Sequence, residues 1–165
     1  MEKIVKNNWR YKERTMEIFW EDIIQPITEV LRPKSIIEIG TDQGYSTRKL
    51  AEYCQKHNAK FHVIDPFPKY DIQNWKETYG NTIEFHLGLS LNVIPLIDEY
   101  ELVLIDGDHN WYTVYNELKL IEKRSLDRQI PFPIIFLHDV EWPYGRRDLY
   151  YNPSNIPDIY RHPYK

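Results

Sequence analysis

Short apolar segments alternate with longer segments of helical periodicity along most of this chain, and this alternation constrains the fold more than any other feature. Residues 102–105 are only Leu, Val and Ile, a pattern typical of a strand buried on both faces of a sheet. In the segment that follows, Trp111, Val114, Leu118 and Ile121 recur at helical spacing. Because strand–helix alternation builds a parallel sheet with helices on its faces, the sequence predicts an α/β domain.

The same criteria divide the chain into elements. The predicted strands are 35–39, 61–64, 82–87, 102–105 and 133–137, and the predicted helices are 45–57, 72–79 and one beginning at Trp111. A further helix, capped by Thr15 and interrupted by Pro26, is expected in a helical N-terminal extension, residues 1–34. Residues 140–165 contain four prolines and five tyrosines and are expected to form an irregular tail. We therefore interpret residues 1–165 as a single domain.

The composition excludes several classes of protein. With 42% hydrophobic and 28% charged residues, the chain has a globular composition, and its net charge of −4 provides no overall basic field for nucleic acid. No apolar run approaches the roughly 20 residues needed to cross a bilayer, and the first residues lack the apolar core of a signal peptide. The single cysteine, Cys54, excludes a disulfide within the chain. We expect a cytoplasmic protein without nucleic-acid or membrane partners.

A glycine-containing turn joins the first predicted strand to its helix. The sequence from Glu38 to Gly44 has the spacing Gly-x-x-x-Gly, which differs from the Gly-x-Gly-x-x-Gly of dinucleotide-binding proteins. Glycines at Gly40 and Gly44 allow a tight turn and close approach of the backbone to a ligand. A buried carboxylate at Glu38 suits a cationic amine, such as the amino group of methionine. The alternative is an ordinary glycine turn beside a solvated acid.

These residues resemble motif I of class I S-adenosylmethionine (SAM)-dependent methyltransferases, and the resemblance covers roughly residues 35–140. It implies a Rossmann-like, mostly parallel sheet with flanking helices and SAM as cofactor, held by Glu38, Gly40 and Gly44. Asp65, at the end of the second predicted strand, stands where the family binds the ribose hydroxyls. Ser90 stands near the adenine position, where it can hydrogen-bond the base or cap a helix.

The family's sheet usually ends in an antiparallel hairpin, and no strands for one are predicted here. We therefore expect either that the chain is a shortened piece or that the outer edge of the fifth strand is covered by the tail or by a partner chain, as in a homo-oligomer.

Acidic residues and histidines follow the fourth and fifth predicted strands. Asp106, Asp108 and His109 come after the fourth, and His138 and Asp139 come after the fifth. Because neighbouring carboxyl ends of a parallel sheet converge, these side chains are expected at one site. Carboxylates suit Mg²⁺, which can lower the pKa of a substrate hydroxyl, and a histidine can accept the proton.

The segment 102–109 is similar to one in small O-methyltransferases, a branch that includes macrolide sugar methyltransferases and cephalosporin hydroxylase. The resemblance implies methylation of a small-molecule or sugar hydroxyl, with Asp106 and Asp139 as ligands of Mg²⁺. Asp106 and His109 are the candidate catalytic residues, and His109 is the leading candidate base. His138 departs from the acidic pair that metal-dependent relatives carry after strand five.

Three alternatives remain open from the sequence. The chain can be a SAM-binding interaction module without turnover, which the absent hairpin favours. A metal-dependent hydrolase would leave the glycine turn and Asp65 unexplained, and a nicotinamide oxidoreductase lacks its glycine spacing. Phe67 is expected to pack in the core or at its rim, with a place over the adenine face as the alternative. The aromatic residues of the helix that begins at Trp111 are expected in the core, and residues 142–148 are a candidate part of an acceptor pocket.

Overall fold

Five parallel strands form one sheet in the computed structural model, which describes residues 16–140 and 153–161. Their order across the sheet is β3-β2-β1-β4-β5. The strands are β1 (Ser35–Ile39), β2 (Lys60–Ile64), β3 (Ile83–His86), β4 (Leu102–Ile105) and β5 (Ile134–Leu137). The predicted α/β, Rossmann-like fold class is therefore confirmed, and β1 and β4 have the predicted bounds.

The helices connect these strands as right-handed α/β topology requires. They are α1 (Gln25–Leu31), α2 (Tyr45–His57), α3 (Ile72–Tyr79), α4 (Ser90–Val93) and α5 (Trp111–Arg128). The bounds of α2 and α3 match the prediction, because each helix has clear stop signals at its end. Asn58 adopts a left-handed conformation after α2, and Gly80 ends α3.

The strand residues alternate between two hydrophobic cores, one on each face of the sheet. One core joins Ile36 of β1 to Leu50 and Cys54 of α2. The other joins Ile37 of β1 to Ile121 of α5. Because β1 is covered on both faces, its whole length is buried, and this fixes the position of the turn that follows it.

The N-terminal helical segment is divided as the position of Pro26 predicts. A 3₁₀ turn (Met16–Phe19) and a π-helical segment (Trp20–Ile24) precede α1, and Pro26 lies in the first turn of α1, where its missing N–H has no helical partner to lose. The buried stripe is Met16, Trp20, Ile24 and Thr28. Thr28 can be buried in this stripe because its hydroxyl donates to the carbonyl of Ile24. The other apolar side chains of the predicted helix are exposed.

The outer edge of β5 is unpaired within residues 16–140 and 153–161, so no strand of a terminal hairpin is found in this part of the chain. Ile134 and Leu137 are partly exposed there. The described part of the tail consists of two 3₁₀ turns, with Ile156 buried and the ring of Tyr160 placed 5.5 Å from that of Tyr112. The predicted pocket segment 142–148 lies outside the described residues. None of the described helices is both long and apolar enough to cross a membrane.

Candidate functional site

The loops that follow β1 and β4 meet at the centre of the sheet, where the strand order reverses. Such a reversal opens a crevice at the carboxyl ends of the strands, where α/β proteins bind ligands. Gly40 has φ of +80°, and a Cβ atom there would collide with the backbone of Gly107 and with the carbonyl of Asp106. Gly40 is therefore required by the close approach of the two loops.

The turn ends at Gly44, the residue before α2. Its φ is +76°, and a Cβ atom would lie 2.8 Å from Cδ1 of Tyr70. The Tyr70 ring stacks on Trp75 of α3, with centroids 4.5 Å apart, so it has little room to move. Gly44 is therefore required by the close packing of the stacked Tyr70 and Trp75 rings against the start of α2.

Glu38 is a fully buried acid at the start of this turn. The hydroxyl of Ser46, in the first turn of α2, donates to its Oε1 at 2.5 Å, whereas Oε2 has no hydrogen-bond partner among the described residues. Burial is the main cause that raises the pKa of Glu38 to about 8; the hydroxyls of Ser46 and Thr47 oppose the rise, and the nearby carboxylates of Asp106 and Asp65 contribute to it. A buried carboxyl oxygen without a partner is costly, and an incoming cation would compensate it.

Asp65 follows β2 and holds the glycine turn in place. Its Oδ2 accepts hydrogen bonds from the backbone N–H and the hydroxyl of Thr41, both at 2.8 Å, and its Oδ1 accepts one from the N–H of Phe67 at 2.8 Å. A carboxylate has about four acceptor positions, so further hydrogen bonds to Asp65 are possible. The expected packing of Phe67 is wrong, because its side chain is 83% exposed.

Ser90 is buried at the start of α4 and contacts a residue that the sequence analysis missed. Leu89 occupies the N-cap position, so the prediction that Ser90 caps a helix is wrong. Its hydroxyl instead donates to Oε1 of Glu117 at 2.5 Å. Glu117 is fully buried on α5, its Oε2 has no partner among the described residues, and burial raises its pKa to about 7. The available signal was the position of Glu117 between Val114 and Ile121, on the inward side of the helix.

The ends of β4 and β5 bring together the predicted acidic residues and both histidines. Nδ1 of His138 lies 2.9 Å from Oδ1 of Asp106 and 3.3 Å from Oδ1 of Asp139. Nε2 of His109 lies 3.7 Å from Oδ2 of Asp139. Ligand atoms of Asp106, His138 and Asp139 lie within 4.8 Å of one another, a spacing that a single metal ion can bridge. We call these three residues the β4–β5 cluster.

The charges within the β4–β5 cluster favour a protonated His138. Burial lowers its pKa, but the carboxylates of Asp106 and Asp139 outweigh this effect, so the net shift is upward. Asp139 has φ of +50°, a left-handed conformation that is uncommon for a residue with a side chain and that often occurs at functional sites. Asp139 is thus turned toward His109 and His138 at some cost in backbone energy.

Asp108 has a different role from its neighbours. Its Oδ2 accepts hydrogen bonds from the side-chain amides of Asn110 and Asn155 and from the hydroxyl of Thr113. Asn110 is the N-cap of α5, and Asn155 belongs to the described part of the tail. Asp108 therefore anchors the start of α5 and the tail to the loop that carries His109.

A cleft of about 270 Å³ lies beside His109, His138 and Asp139. Its walls include apolar side chains of α5, namely Trp111, Val114, Tyr115 and Leu118. The prediction that the aromatic residues of this helix lie in the core is therefore wrong, and Tyr115 is 53% exposed. Helical periodicity identified the apolar face of α5, but the first turns of that face line a cleft instead of packing against the sheet.

Comparisons with known proteins agree with this architecture. A family model described as a methyltransferase domain matches residues 37–140. The search of curated proteins found no match.

Among solved structures, a methyltransferase of Podospora anserina, crystallised with S-adenosylhomocysteine, superposes with a TM-score of 0.59 at 21% identity. The alignment covers 77% of this chain and 60% of that one. A candidate caffeoyl-CoA O-methyltransferase from Staphylococcus aureus superposes with a TM-score of 0.55 at 15% identity, over 85% of this chain and 73% of that one. At these identities the likeness shows the fold, and this chain spans about three fifths of the Podospora protein.

Proposed function

Because this chain belongs to the methyltransferase-domain family, we propose that it transfers a methyl group from SAM to a hydroxyl group of a small molecule. The observation that carries the proposal is the pairing of two different sites at adjoining strand ends. Beside β1, Glu38 has a buried carboxyl oxygen without a partner among the described residues, which suits a cationic cofactor. Beside β4 and β5, ionisable side chains meet an apolar cleft, which suits a hydroxyl that has to lose its proton.

The cofactor side would hold SAM through Glu38, Gly40, Gly44 and Asp65. When bound, SAM supplies a methyl group on a positively charged sulfur. The carboxylate of Glu38 would pair with the ammonium group, and the two glycines would let the turn pack against Gly107 and Tyr70 in the shape that presents this carboxylate. Asp65 would accept hydrogen bonds from the ribose hydroxyls with its remaining acceptor positions. Contact of Ser90 with the adenine remains a prediction.

The acceptor would occupy the cleft along α5. Trp111, Val114 and Leu118 provide an apolar wall, and His109, His138 and Asp139 provide the polar end. A small molecule with an apolar body and one hydroxyl group fits this division, because the apolar walls bind the body while the polar end orients the hydroxyl. Orientation of two bound reactants contributes a large share of the rate in such a transfer.

We propose that the imidazole of His109 accepts the proton of the acceptor hydroxyl. The oxygen of that hydroxyl would form its new bond to the methyl carbon that SAM supplies, and the electron pair of the carbon–sulfur bond would stay on sulfur. Asp139, 3.7 Å from Nε2 of His109, would stabilise the imidazolium that forms. Asp106 would have a positioning role, because its carboxylate would hold the ring of His138 at the end of β5.

A divalent ion would be held by Asp106, His138 and Asp139, and its binding would displace the proton that the two carboxylates favour on His138. It would supply positive charge that lowers the pKa of the acceptor hydroxyl. Two carboxylates and an imidazole within 4.8 Å fit a divalent cation, although the imidazole suits zinc better than the Mg²⁺ expected from the resemblance.

Calorimetry with SAM, S-adenosylhomocysteine and NAD tests the cofactor. SAM and S-adenosylhomocysteine should bind to the full chain and NAD should not. Asp65→Ala should weaken SAM binding by about 1.5–3 kcal/mol, as expected for loss of hydrogen bonds to a charged group. Glu122→Gln, an exposed acid on α5, is the control and should bind SAM like the wild type. Absence of SAM binding by the folded chain would refute the proposed cofactor.

An assay of methyl transfer to a panel of hydroxyl compounds tests the reaction itself. Radiolabel from the SAM methyl group should appear in at least one product with an apolar body. SAM binding without transfer to any member of a broad panel would favour the alternative, a SAM-binding interaction module without turnover.

A further inference from the structure

Three metal-ligating side chains meet at the β2–β3 edge of the sheet, apart from the β4–β5 cluster. His62 lies on β2, and Glu84 and His86 lie on β3, the outermost strand. The strand register pairs His62 with Glu84 and Ile64 with His86, so all three side chains project from the same face. The two histidines are mostly buried, whereas the side chain of Glu84 is 57% exposed.

We propose that His62, Glu84 and His86 form a binding site for a zinc-type divalent ion, with water in the remaining position. Nδ1 of His62 lies 3.1 Å from Nε2 of His86. The carboxylate oxygens of Glu84 lie 3.7 Å and 3.8 Å from those two nitrogens. Ligands about 2.0–2.2 Å from a tetrahedral zinc ion lie roughly 3.3–3.5 Å from one another, and the three measured separations bracket that range.

Burial is the main electrostatic influence on the two imidazoles. It lowers the pKa of His62 and of His86, against the opposing effect of Glu84. Lys60, on the same strand as His62, also lowers the pKa of His62, but its amino group donates to the carbonyl of Asn81. Glu84 supplies the negative charge that a two-histidine site needs for a divalent cation.

A hydrogen bond between the two imidazoles explains only part of this arrangement. It accounts for the separation of 3.1 Å between the ring nitrogens, with one ring as donor and the other as acceptor. It does not account for Glu84, whose oxygens are too far from the nitrogens for hydrogen bonds, although one ligand atom from each of the three side chains lies within 4.8 Å of the others. A cation held between these three atoms would explain all three positions.

Calorimetric titration of the full chain with Zn²⁺ tests the proposal. The wild type should bind zinc and show a higher Tm with it. Loss of a residue that only supports a metal ligand costs about 10- to 100-fold in affinity, so His86→Gln and Glu84→Gln, which remove ligands, should each cost at least that much. His57→Gln replaces a histidine that lies against Glu29 and Tyr53, and should leave zinc binding unchanged.

Zinc could also bind at the β4–β5 cluster, so Asp139→Asn is included to separate the two sites. It should leave the β2–β3 site intact, and cobalt bound to that variant should show the strong visible absorption of a four-coordinate ion. Zinc affinity that is lost in Asp139→Asn but kept in Glu84→Gln and His86→Gln would overturn the proposal. So would the absence of zinc binding by the wild type. Because Glu84 is exposed, Glu84→Gln tests the site even where His86→Gln fails to fold.

Discussion

The two halves of the candidate site are built in different ways. The cofactor side, around Glu38 and Asp65, is shaped by backbone, with positive φ at the glycines and a carboxylate that ties two loops together. The acceptor side, around His109 and the β4–β5 cluster, is shaped by side-chain charges beside an apolar cleft. A site whose shape depends on backbone conformation tolerates few substitutions, and it binds its ligand in one conformation. A site built from side chains can change its chemistry by single substitutions, which is how one fold serves many acceptors.

The largest expected effect is on the acceptor side. His109→Ala should lower turnover by about 10²- to 10⁴-fold, as expected for loss of a general base. SAM affinity, measured by calorimetry on the same protein, should stay nearly unchanged, because His109 lies beside the acceptor cleft. Loss of SAM binding together with turnover would mean that the two halves of the site are not separable.

The same assay decides whether a metal ion takes part. If it does, a chelator should abolish transfer, added Mg²⁺ or Mn²⁺ should restore it, and both Asp106→Asn and Asp139→Asn should prevent the restoration. Asparagine keeps the shape of the side chain but lacks the charge that a cation requires. Activity that resists the chelator yet depends on His109 would leave a metal-free, histidine-driven transfer.

On the cofactor side, the close contact at Gly40 should be the most sensitive feature. Gly40→Ala combines a left-handed backbone, which costs a residue with a Cβ about 1–2 kcal/mol, with a collision against the loop after β4 that adds about 1–3 kcal/mol. Gly80→Ala is a control for backbone cost alone, because Gly80, at φ +54° and ψ −131°, is also in a region that residues with a Cβ rarely adopt, but its Cβ would meet no atom within 4 Å. Urea unfolding should show a larger loss for Gly40→Ala, and equal losses would disprove the close approach.

The buried acid on the cofactor side should make SAM binding depend on pH. The pKa of Glu38 is about 8 in the free protein, so at lower pH the carboxyl group is protonated and must lose its proton to pair with the ammonium group. Affinity should therefore rise about tenfold per pH unit as pH increases, or roughly a hundredfold from pH 5.5 to 7.5. Above that range the amino group of the ligand itself begins to lose its proton. Glu38→Gln should bind more weakly and with little pH dependence, whereas a slope unchanged in that variant would exclude Glu38.

Sequence patterns predicted those parts of the molecule that local signals specify. The bounds of β1, β4, α2 and α3 follow from apolar runs and helix stop signals, and Gly40 and Gly44 follow from their spacing. Fold class and family followed from the same features, because the glycine turn lies between a buried strand and an amphipathic helix.

The parts that were missed depend on distant residues. The sequence around Glu117 shows only a polar position on a helix, because its hydrogen-bond partner, Ser90, is 27 residues away. The first turns of α5 were assigned to the core because periodicity does not show where a cleft opens. The convergence of His62, Glu84 and His86 depends on strand register, which alternating residues on two separate strands do not reveal.

The smallest expected effect concerns Ser90, a residue predicted to serve the cofactor but found against Glu117. Ser90→Ala should lower the free energy of unfolding by about 0.5–1.5 kcal/mol, the typical value of one hydrogen bond. If the hydroxyl serves only Glu117, SAM affinity should not change. A clear loss of SAM affinity with unchanged stability would instead indicate that Ser90 contacts the adenine. The cofactor side of the site would then include the start of α4.

The pH dependence of the stability loss in Ser90→Ala shows whether that loss comes from the hydrogen bond to Glu117. The pKa of Glu117 is about 7 in the folded protein and near 4.5 in the unfolded chain, so unfolding releases a proton between those values and stability falls as pH rises from about 4.5 to about 7. The hydrogen bond from Ser90 opposes the rise in the pKa of Glu117.

Ser90→Ala should therefore raise that pKa further and extend the decline in stability to higher pH, so that the variant differs more from the wild type at pH 8 than at pH 4.5. In a Glu117→Gln background the same substitution should cost an amount that does not vary with pH, because the group that titrates is gone. Urea unfolding of the four proteins at both pH values measures this difference, and a cost for Ser90→Ala that is equal at the two pH values in the wild-type background would show that its hydroxyl does not act on Glu117.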